Sequence, residues 1–417
     1  MDKQHKIGMF GFGCVGQGLY DILEKTNFRA EVVKICVKNK SKERSLPAHF
    51  FTYDASSILD DDNINLVVEL IDNADEAYQI VTTALKRGKN VVTANKKMVA
   101  EHLEELLQLQ EKHGVSLLYE GAVCGCIPII RTLEEYYDNE LVFSVSGIFN
   151  GSSNYILTKV IQENMSYANA LKQAQDLGFA ETDPTLDVGG FDPLYKLCIV
   201  ALHAYGVIAK PDEVFNYGIQ SLSEHDIRFA IEKGYKLKLL ASIEKINDHE
   251  VSLSVMPHFV GKGHYLYHVE NEYNAAIVEA AFSSKQVFTG KGAGGHPTGS
   301  AVLSDISANR YEYKYEYRKA LAKKGSGLLP LKISYGQVQE IYLRYHDEQD
   351  FKLLPFITIS EKYQGTDFNY VIGTVRLSDL YKYKNELNKR NVFVANTGKK
   401  ISTEQATPIL NGVETLV

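Results

Sequence analysis

The stretch from Lys6 to Gly18 constrains the fold more than any other part of the chain. A short apolar strand at 6–10, KIGMF, runs into GFGCVGQG and a helical pattern, and a second strand is predicted at 30–37. In such a pattern the first glycine permits a tight turn, the second lets the backbone approach a pyrophosphate, and the third lets the helix pack on the strand. This context predicts a βαβ unit that binds a dinucleotide. The predicted contacts are Gly11, Phe12, Gly13, Cys14, Val15 and Gly16.

Strand and helix patterns continue to alternate after this unit. Further strands are predicted at 64–71, 90–93 and 115–119. Such alternation predicts an α/β fold with a Rossmann-type, doubly wound parallel sheet, in which ligands gather at the carboxyl ends of the strands. The sequence TANKK at 93–97 follows one such end. We therefore expect Thr93 and Lys96 to lie near the cofactor.

The choice between NAD and NADP depends on the end of the second strand. Proteins that bind NAD usually carry an acidic residue there, which binds the ribose 2′-OH. This chain instead has Lys38, Asn39 and Lys40, and a lysine can neutralise a 2′-phosphate. The pattern favours NADP and leaves NAD open, and the alternative interpretation of Lys38 is a solvated basic loop.

Composition limits the possible partners and the cellular location. The chain has 417 residues and a net charge of -7, which argues against binding to nucleic acid or to an anionic membrane. No apolar run reaches the roughly 20 residues of a membrane-spanning helix, and the polar start does not resemble a signal peptide. The five cysteines form no C-x-x-C pair. We expect a cytoplasmic protein of two or three domains without disulfides.

The stretch at 178–197, GFAETDPTLDVGGFDPLYKL, combines four carboxylates with one lysine. Asp192 followed by Pro193 predicts the N-cap and first residue of a helix that ends at Gly206 and is buried on nearly every face. Asp192 and Lys196 are four residues apart and should lie one above the other. Two interpretations remain open: a capped helix with solvated acids, or a polar pocket.

Two other segments suggest local structures. EGAVCGCIP at 120–128 has small residues whose backbone carbonyls, with the Glu120 carboxylate, could hold a hard monovalent cation. YEYKYEYRK at 311–319 alternates tyrosine with charge, which predicts a half-exposed strand.

Four motifs occur in a fixed order along the chain: GFGCVG, TANK, GIFNGSSNYIL with the acidic stretch at 178–197, and GAGGHPTGSAV. Together they resemble homoserine dehydrogenase over about residues 5–310. The resemblance implies reversible, NAD(P)-dependent interconversion of L-homoserine and L-aspartate 4-semialdehyde, in threonine and methionine biosynthesis. It also implies a homodimer.

The resemblance further implies roles for individual residues. Lys196 resembles the proton donor to the aldehyde oxygen, and Lys96 a second functional lysine beside the nicotinamide. The implied substrate ligands are Glu181, Asp187 and Asp192. Further implied cofactor contacts are Gly178 and Gly294, the latter in the second glycine-rich turn. The implied sodium ligands are Glu120 and the carbonyls of Val123, Gly125 and Ile127.

Three regions are predicted from these patterns. Residues 1–140 form the dinucleotide-binding domain, completed by 291–310, and residues 141–310 form an α+β domain for substrate binding and dimerisation. Residues 311–417 form a small α+β extension, which is either a packing or dimerisation module or a divergent ACT-like domain.

Two other functions stay open, a dehydrogenase of another amino aldehyde and a catalytically silent cofactor-binding regulator. His296, Asp72 and Asn73 depart from the family pattern near the expected cofactor path.

Overall fold

The computed structural model describes residues 5–26, 28–320, 331–399 and 401. Its strands are β1 (His5–Phe10), β2 (Ala30–Cys36), β3 (Phe51–Thr52), β4 (Leu66–Glu69), β5 (Asn90–Thr93), β6 (Leu117–Leu118), β7 (Val142–Ile148), β8 (Phe215–Asn216), β9 (Lys236–Asn247), β10 (Glu250–Val260), β11 (Tyr273–Ala280), β12 (Ser284–Lys291), β13 (Lys332–Ile333), β14 (Val338–Tyr345), β15 (Thr358–Gln364), β16 (Asn369–Arg376) and β17 (Phe393–Asn396).

The described residues also form α-helices. They are α1 (Cys14–Thr26), α2 (Ser56–Leu59), α3 (Ala74–Lys86), α4 (Lys96–His113), α5 (Ile129–Arg131), α6 (Gly151–Gln162), α7 (Tyr167–Asp176), α8 (Thr185–Val188), α9 (Phe191–Tyr205), α10 (Glu224–Glu232), α11 (Gly295–Asn309), α12 (Glu348–Phe351) and α13 (Leu377–Lys389). Among the described residues, no helix is long and apolar enough to cross a membrane.

The first sheet has the strand order β3-β2-β1-β4-β5-β6, and all its pairings are parallel. This is the order of the doubly wound dinucleotide-binding fold. Its central strands are fully buried, as expected of a parallel sheet covered by helices on both faces. The predicted fold class is confirmed.

Helix α11 returns from the second half of the chain to the first sheet, where it packs against α1. The two helices approach so closely that a Cβ at Gly18 would lie 2.3 Å from the carbonyl carbon of Gly295. Two small residues thus let the backbones meet, and the nucleotide-binding half is built from two separate parts of the chain.

The second sheet is mixed and has the order β12-β11-β7-β9-β10-β17-β14-β16-β15. Helix α9 lies against β7, β9 and β10, and every residue from Asp192 to Tyr205 is buried. The predicted buried helix is therefore confirmed. Strands β10 and β17 are joined at one pair, His258 with Asn396.

The carboxyl-terminal strands and helices follow the order β14-α12-β15-β16-α13-β17. All pairings in their sheet, β17-β14-β16-β15, are antiparallel. This is the β-α-β-β-α-β arrangement of ferredoxin-like domains, with a first helix of only 4 residues. The predicted α+β character of this extension is present, while its residues 321–330, 400 and 402–417 lie outside the described residues. The division into three domains stays a prediction.

The strand predicted at 311–319 is wrong. The structure has no strand there: residues 313–317 belong to neither helix nor strand, and Tyr317 has a left-handed φ of 50°. The alternation is nevertheless real, because Tyr315 and Tyr317 are buried while Lys314 and Glu316 are exposed. The buried tyrosines face side chains of the core and not a neighbouring strand.

Candidate active site

The start of α9 differs from the sequence prediction. Gly190, in the left-handed conformation with φ of 78°, is the N-cap, and Asp192 lies inside the first turn. The prediction that Asp192 caps the helix is therefore wrong. Because glycine adopts positive φ without strain, the turn is made without a side chain, and the Asp192 carboxylate is free for other partners.

The Asp192 carboxylate lies between two lysines. Its Oδ2 is 2.6 Å from the Lys196 Nζ, and its Oδ1 is 3.2 Å from the Lys96 Nζ. Lys196 also donates to the carbonyl oxygen of Phe149 at 2.7 Å, and its side chain is only 8% exposed. Lys96 comes from the first turn of α4, so the site lies where the two halves of the molecule meet.

Asn150 holds the acids together, a role that its sequence position did not reveal. Its Nδ2 donates to Asp187 at 2.7 Å and to Asp192 at 2.9 Å, while its Oδ1 accepts from the N–H of Ser153 and caps α6. One buried amide thus bridges two carboxylates that would otherwise repel each other. The sequence signal was an Asn-Gly pair between a strand and a helix, which indicates a turn and says nothing about distant partners.

The remaining acids of the stretch differ in position. Asp187 is partly buried beside Asn150, and Glu181 is exposed but close enough to raise the pKa of Lys96 slightly. Asp183 is exposed and accepts from the backbone and hydroxyl of Thr185. The pocket therefore contains Asp187 and Asp192, Glu181 lies at its edge, and Asp183 stabilises a surface turn.

The charge states of the buried groups follow from this geometry. Burial alone would raise the pKa of Asp192, but the ammonium groups of Lys196 and Lys96 outweigh it and hold the pKa below its usual range. Conversely, the Asp192 carboxylate raises the pKa of Lys96 against the effect of burial. Burial and the Asp192 charge raise the pKa of Asp187. Asp192 is therefore the fixed negative charge of the site.

The glycine-rich loop has the shape of a dinucleotide cradle. Gly11 has a φ of 93°, and a Cβ there would lie 2.6 Å from the carbonyl oxygen of Leu70. A Cβ at Gly16 would lie 2.6 Å from the oxygen of Gly11, whereas Gly13 has no neighbour within 4 Å. The first and third glycines are thus required by packing, and the open space at the second is where a pyrophosphate would approach.

The other residues of this loop divide into buried and accessible positions. Phe12 is buried and stacks edge-on against Phe51, so it offers a ligand only its backbone. Cys14 is the exposed first residue of α1, and Val15 is half-buried. Helix α1 thus presents its N-terminus, where backbone N–H groups favour anions.

The second glycine-rich turn adjoins this loop. Gly294 has a φ of 118° and is the N-cap of α11. A Cβ at the next residue, Gly295, would lie 2.7 Å from the oxygen of Cys14. Gly178, in contrast, is an exposed left-handed residue after α7.

The turn before α4 is fixed by a buried carboxyl group. The Thr93 hydroxyl donates to Glu69 at 2.5 Å and accepts from the N–H of Asn95 at 3.0 Å. The side chain of Thr93 therefore points into the protein, and only its backbone faces the strand ends. Burial raises the pKa of Glu69 to about 7. Sequence reasoning missed Glu69, which lies at the end of a uniformly apolar strand.

The loop after β2 is basic and exposed. Lys38 pairs with Glu76 of α3, and Arg44 donates to the carbonyl of Lys42 at 2.8 Å. Of the positions that depart from the family pattern, Asn73 caps α3 and His296 pairs with Asp21 of α1 at 2.5 Å. Both departures have a structural use outside the acid–lysine cluster.

The loop at 120–128 is mostly buried and has an unusual backbone conformation. Cys124 and Gly125 have consecutive positive φ values of 55° and 57°. The Glu120 carboxylate accepts from the N–H groups of Ile130 and Arg131 at 2.9 Å each, so both of its oxygens already have donors. In the part of the chain that the structure describes, no group of three or more His, Cys, Asp or Glu side chains could hold a metal.

Comparison with known proteins agrees with this site. The family profile "Homoserine dehydrogenase, NAD binding domain" matches residues 11–120, and the profile "Homoserine dehydrogenase" matches residues 128–307. The homoserine dehydrogenase of Lactococcus lactis is 38% identical over 312 residues, which cover 72% of this chain and 73% of the relative.

The chain belongs to the homoserine dehydrogenase family.

Solved structures of the family extend the likeness to the carboxyl-terminal region. The homoserine dehydrogenase of Thiobacillus denitrificans superposes with a TM-score of 0.80 at 26% identity, over 95% of this chain and 99% of that one. A hyperthermophilic archaeal homoserine dehydrogenase mutant in complex with NADPH has a TM-score of 0.64 at 25% identity, over 75% of this chain and 100% of that one. The chain is thus an NAD(P)-dependent oxidoreductase whose family reversibly reduces L-aspartate 4-semialdehyde to L-homoserine, in the pathway to threonine and methionine.

Proposed function

We propose that Lys196 is the proton donor for reduction of L-aspartate 4-semialdehyde to L-homoserine, and that Lys96 completes the catalytic pair. The observation that carries this proposal is the placement of both lysines on one buried carboxylate, Asp192. Lys196 belongs to α9, which is the catalytic helix in this proposal, and Lys96 begins α4 in the nucleotide-binding half. This arrangement joins the substrate and the cofactor at one point.

The residues divide the chemistry between them. When bound, the nicotinamide cofactor supplies the hydride to C4 of the aldehyde. The Lys196 ammonium stabilises the negative charge that develops on the aldehyde oxygen and then donates a proton to it. Asp192 stays ionised because the two lysines hold its pKa low, so it favours the charged form of Lys96 and does not itself donate a proton.

The acids around the lysines select the substrate. L-Homoserine and its aldehyde carry an α-ammonium group, which needs carboxylate partners once water is excluded. Asp187 and Asp192 are joined by Asn150, and Glu181 lies at the exposed edge of the same pocket. We assign the α-ammonium to Glu181 with Asp187 as the supporting acid, and the substrate hydroxyl to the Asp192 side.

NADP is the proposed cofactor, with NAD as the weaker alternative. Lys38 lies in the loop after β2, on the side where a 2′-phosphate would bind, and the segment 37–42 contains no carboxylate. The Lys38 ammonium pairs with Glu76 of α3 at the surface, so a phosphate would have to compete with that carboxylate. The proposed contacts are the backbone of the glycine-rich loop, the turns at Thr93, Gly178 and Gly294, and Lys96. The archaeal relative solved with NADPH supports the same choice.

A monovalent cation, by preference sodium, fits the loop at 120–128. The available donors are carbonyl oxygens of Val123, Gly125 and Ile127, and hard cations prefer oxygen ligands. The Glu120 carboxylate already accepts from the N–H groups of Ile130 and Arg131, and its carbonyl accepts from the N–H of Val123, so Glu120 would share one of these oxygens with the ion. When bound, the ion would supply fixed positive charge that holds this loop in its turned conformation.

We further propose a cytoplasmic homodimer. Four large apolar side chains near one end of the second sheet are exposed, although isolated proteins seldom expose such a patch without a partner. They are Tyr136 (60% exposed), Leu141 (57%), Phe143 (49%) and Phe282 (78%). A second copy of the chain is the proposed occupant.

The test is substitution of Lys196 by alanine, with Lys97→Ala as the matched control. Lys97 is an exposed neighbour of Lys96. We expect Lys196→Ala to lower the rate of NADPH oxidation with the aldehyde by about 10² to 10⁴, the usual range for a general acid. Near-normal turnover in this variant would contradict the assignment. Cofactor binding without turnover in the unaltered protein would instead indicate a regulator.

A further inference from the structure

A segment of the middle region lies between the active site and the carboxyl-terminal region. This bridging segment, residues 212–226, runs from a short turn through β8 to the first turn of α10. One side of it contacts the loop that precedes the catalytic helix, and the other contacts β14, α13 and β17. The carboxyl-terminal region therefore reaches the substrate pocket through a single intermediate layer.

On the carboxyl-terminal side, the contacts are polar and largely buried. The Tyr217 hydroxyl donates to the carbonyl of Val392 at 2.6 Å. Arg344 donates to the carbonyl of Ser221 at 2.6 Å and forms an ion pair with Asp226 at 3.0 Å, with both side chains at most 1% exposed. Removing either charge would leave the other buried and unpaired, so these two layers cannot separate easily.

On the pocket side, the bridging segment touches the three residues between Asp187 and the catalytic helix. The Asn216 Nδ2 donates to the carbonyl of Gly189 at 3.1 Å, and the N–H of Ile219 donates to the carbonyl of Val188 at 2.7 Å. Gly218 comes so close that a Cβ there would lie 2.1 Å from the oxygen of Val188. This backbone is therefore held from outside at two successive carbonyls.

Asn216 links the two sides through a single amide. While its Nδ2 holds Gly189, its Oδ1 accepts from the Nζ of Lys384 on α13 at 3.4 Å. Gly189 precedes the left-handed cap Gly190, which has no side chain to fix the start of α9. The position of the first helical turn, and so of Asp192, thus depends on what holds Gly189.

We propose that Asn216 is a positioning residue for the substrate pocket, and that α13 of the carboxyl-terminal region supports it through Lys384. The inference rests on the proposed role of Asp187 and Asp192 in substrate binding. On this proposal the carboxyl-terminal region contributes to the catalytic unit. The Asn216 amide fixes Gly189, and Gly189 fixes the start of α9. Asp187 and Asp192 are then held at the separation that the substrate requires.

The test compares Asn216→Ala and Lys384→Met with Lys382→Met, a matched change on the exposed side of the same helix. We expect Asn216→Ala to raise the KM for homoserine about tenfold, the effect of one lost hydrogen bond, and to leave the KM for NADP within about twofold. Lys384→Met should raise the homoserine KM by about threefold, and Lys382→Met should change neither constant. If Asn216→Ala does not fold, Lys384→Met provides the test, because it too should raise the KM for homoserine and leave the KM for NADP nearly unchanged.

A double variant separates positioning from simple destabilisation. Asn150 also positions Asp187 and Asp192. In an Asn150→Ser background, Asn216→Ala should therefore raise the homoserine KM by a smaller factor than it does alone. Unchanged homoserine KM in both single variants, equal increases for homoserine and NADP, or full additivity in the double variant would overturn the inference. Failure of the proposed function is distinguishable, since it would leave the unaltered protein inactive or insensitive to Lys196→Ala.

Discussion

Substitution of Asn150 by serine isolates the amide that joins the two substrate-binding acids. Serine is itself a good N-cap, so helix α6 should keep its capping bond to Ser153. The two bonds that are lost run from Nδ2 to Asp187 at 2.7 Å and to Asp192 at 2.9 Å. The change therefore affects the spacing of the acids without removing either acid.

The expected magnitude follows from these two bonds. A hydrogen bond to a charged group contributes about 1.5–3 kcal/mol, and water entering the pocket should replace one of the two. A net loss of that size lowers kcat/KM for homoserine by about 10- to 150-fold. The free energy of unfolding should also fall, by up to about the same 1.5–3 kcal/mol, because the lost bond lies inside the folded protein, while retention of the cap prevents a larger loss.

A second variant, Asn150→Asp, adds a pH signature. It keeps the cap and the shape but places a third carboxylate against Asp187 and Asp192. Like charges raise carboxyl pKa values, and burial and Asp192 already raise the pKa of Asp187. One of the three groups should therefore take up a proton as the pH falls, and its hydroxyl can then donate as the amide did. The loss of kcat/KM for homoserine in Asn150→Asp, relative to the unaltered protein, should accordingly be smaller at pH 6 than at pH 8.

Steady-state absorbance of NADPH at both pH values, with thermal unfolding of each variant, measures these effects. A kcat/KM for Asn150→Ser within about threefold of the unaltered enzyme would refute the bridging role. An Asn150→Asp deficit that is the same at pH 6 and pH 8 would refute the electrostatic explanation.

Three further changes test separate parts of the structure. Glu181→Gln should raise the KM for homoserine and leave that for NADP unchanged in initial-rate assays; equal increases would argue against a contact to the α-ammonium. Lys38→Ala should raise the KM for NADPH about three- to tenfold with little effect on NADH, and a similar change for both cofactors would contradict 2′-phosphate binding. Burial lowers the pKa of Lys238 to about 7, so above pH 7 the unfolded chain binds a proton that the folded protein does not, and stability rises with pH. Lys238→Met should therefore reduce the slope of unfolding free energy against pH between 7 and 9, measured by denaturant titration, by up to about 1.4 kcal/mol per pH unit. An unchanged slope would contradict the lowered pKa of Lys238.

The sequence was sufficient for elements whose signals are local. Gly11, Gly13 and Gly16 predict a strand, turn and helix from a short local pattern, and the structure has that unit, with Gly11 and Gly16 in close contact with neighbouring backbone. The pairing of Asp192 with Lys196 followed from helical periodicity alone.

Long-range partners explain most of what could not be predicted. Asn150 bonds to residues 37 and 42 positions away, so no spacing rule marks it. Gly190 takes the cap position of α9 because a left-handed glycine makes the turn there, and the neighbouring Asp-Pro pair gave the stronger but misleading signal. The tyrosines at 315 and 317 alternate as a strand would, yet their partners come from the core.

The contact between α1 and α11 also affects how the chain can be made. Gly18 and Gly295 are in contact in the folded protein, but they are synthesised at widely separated times. At about 5–20 residues per second, the roughly 280 residues between them take on the order of 15 to 50 seconds to synthesise. During that interval the first glycine-rich helix has no partner on this face. The nascent amino-terminal half should therefore be a client for chaperones until α11 emerges.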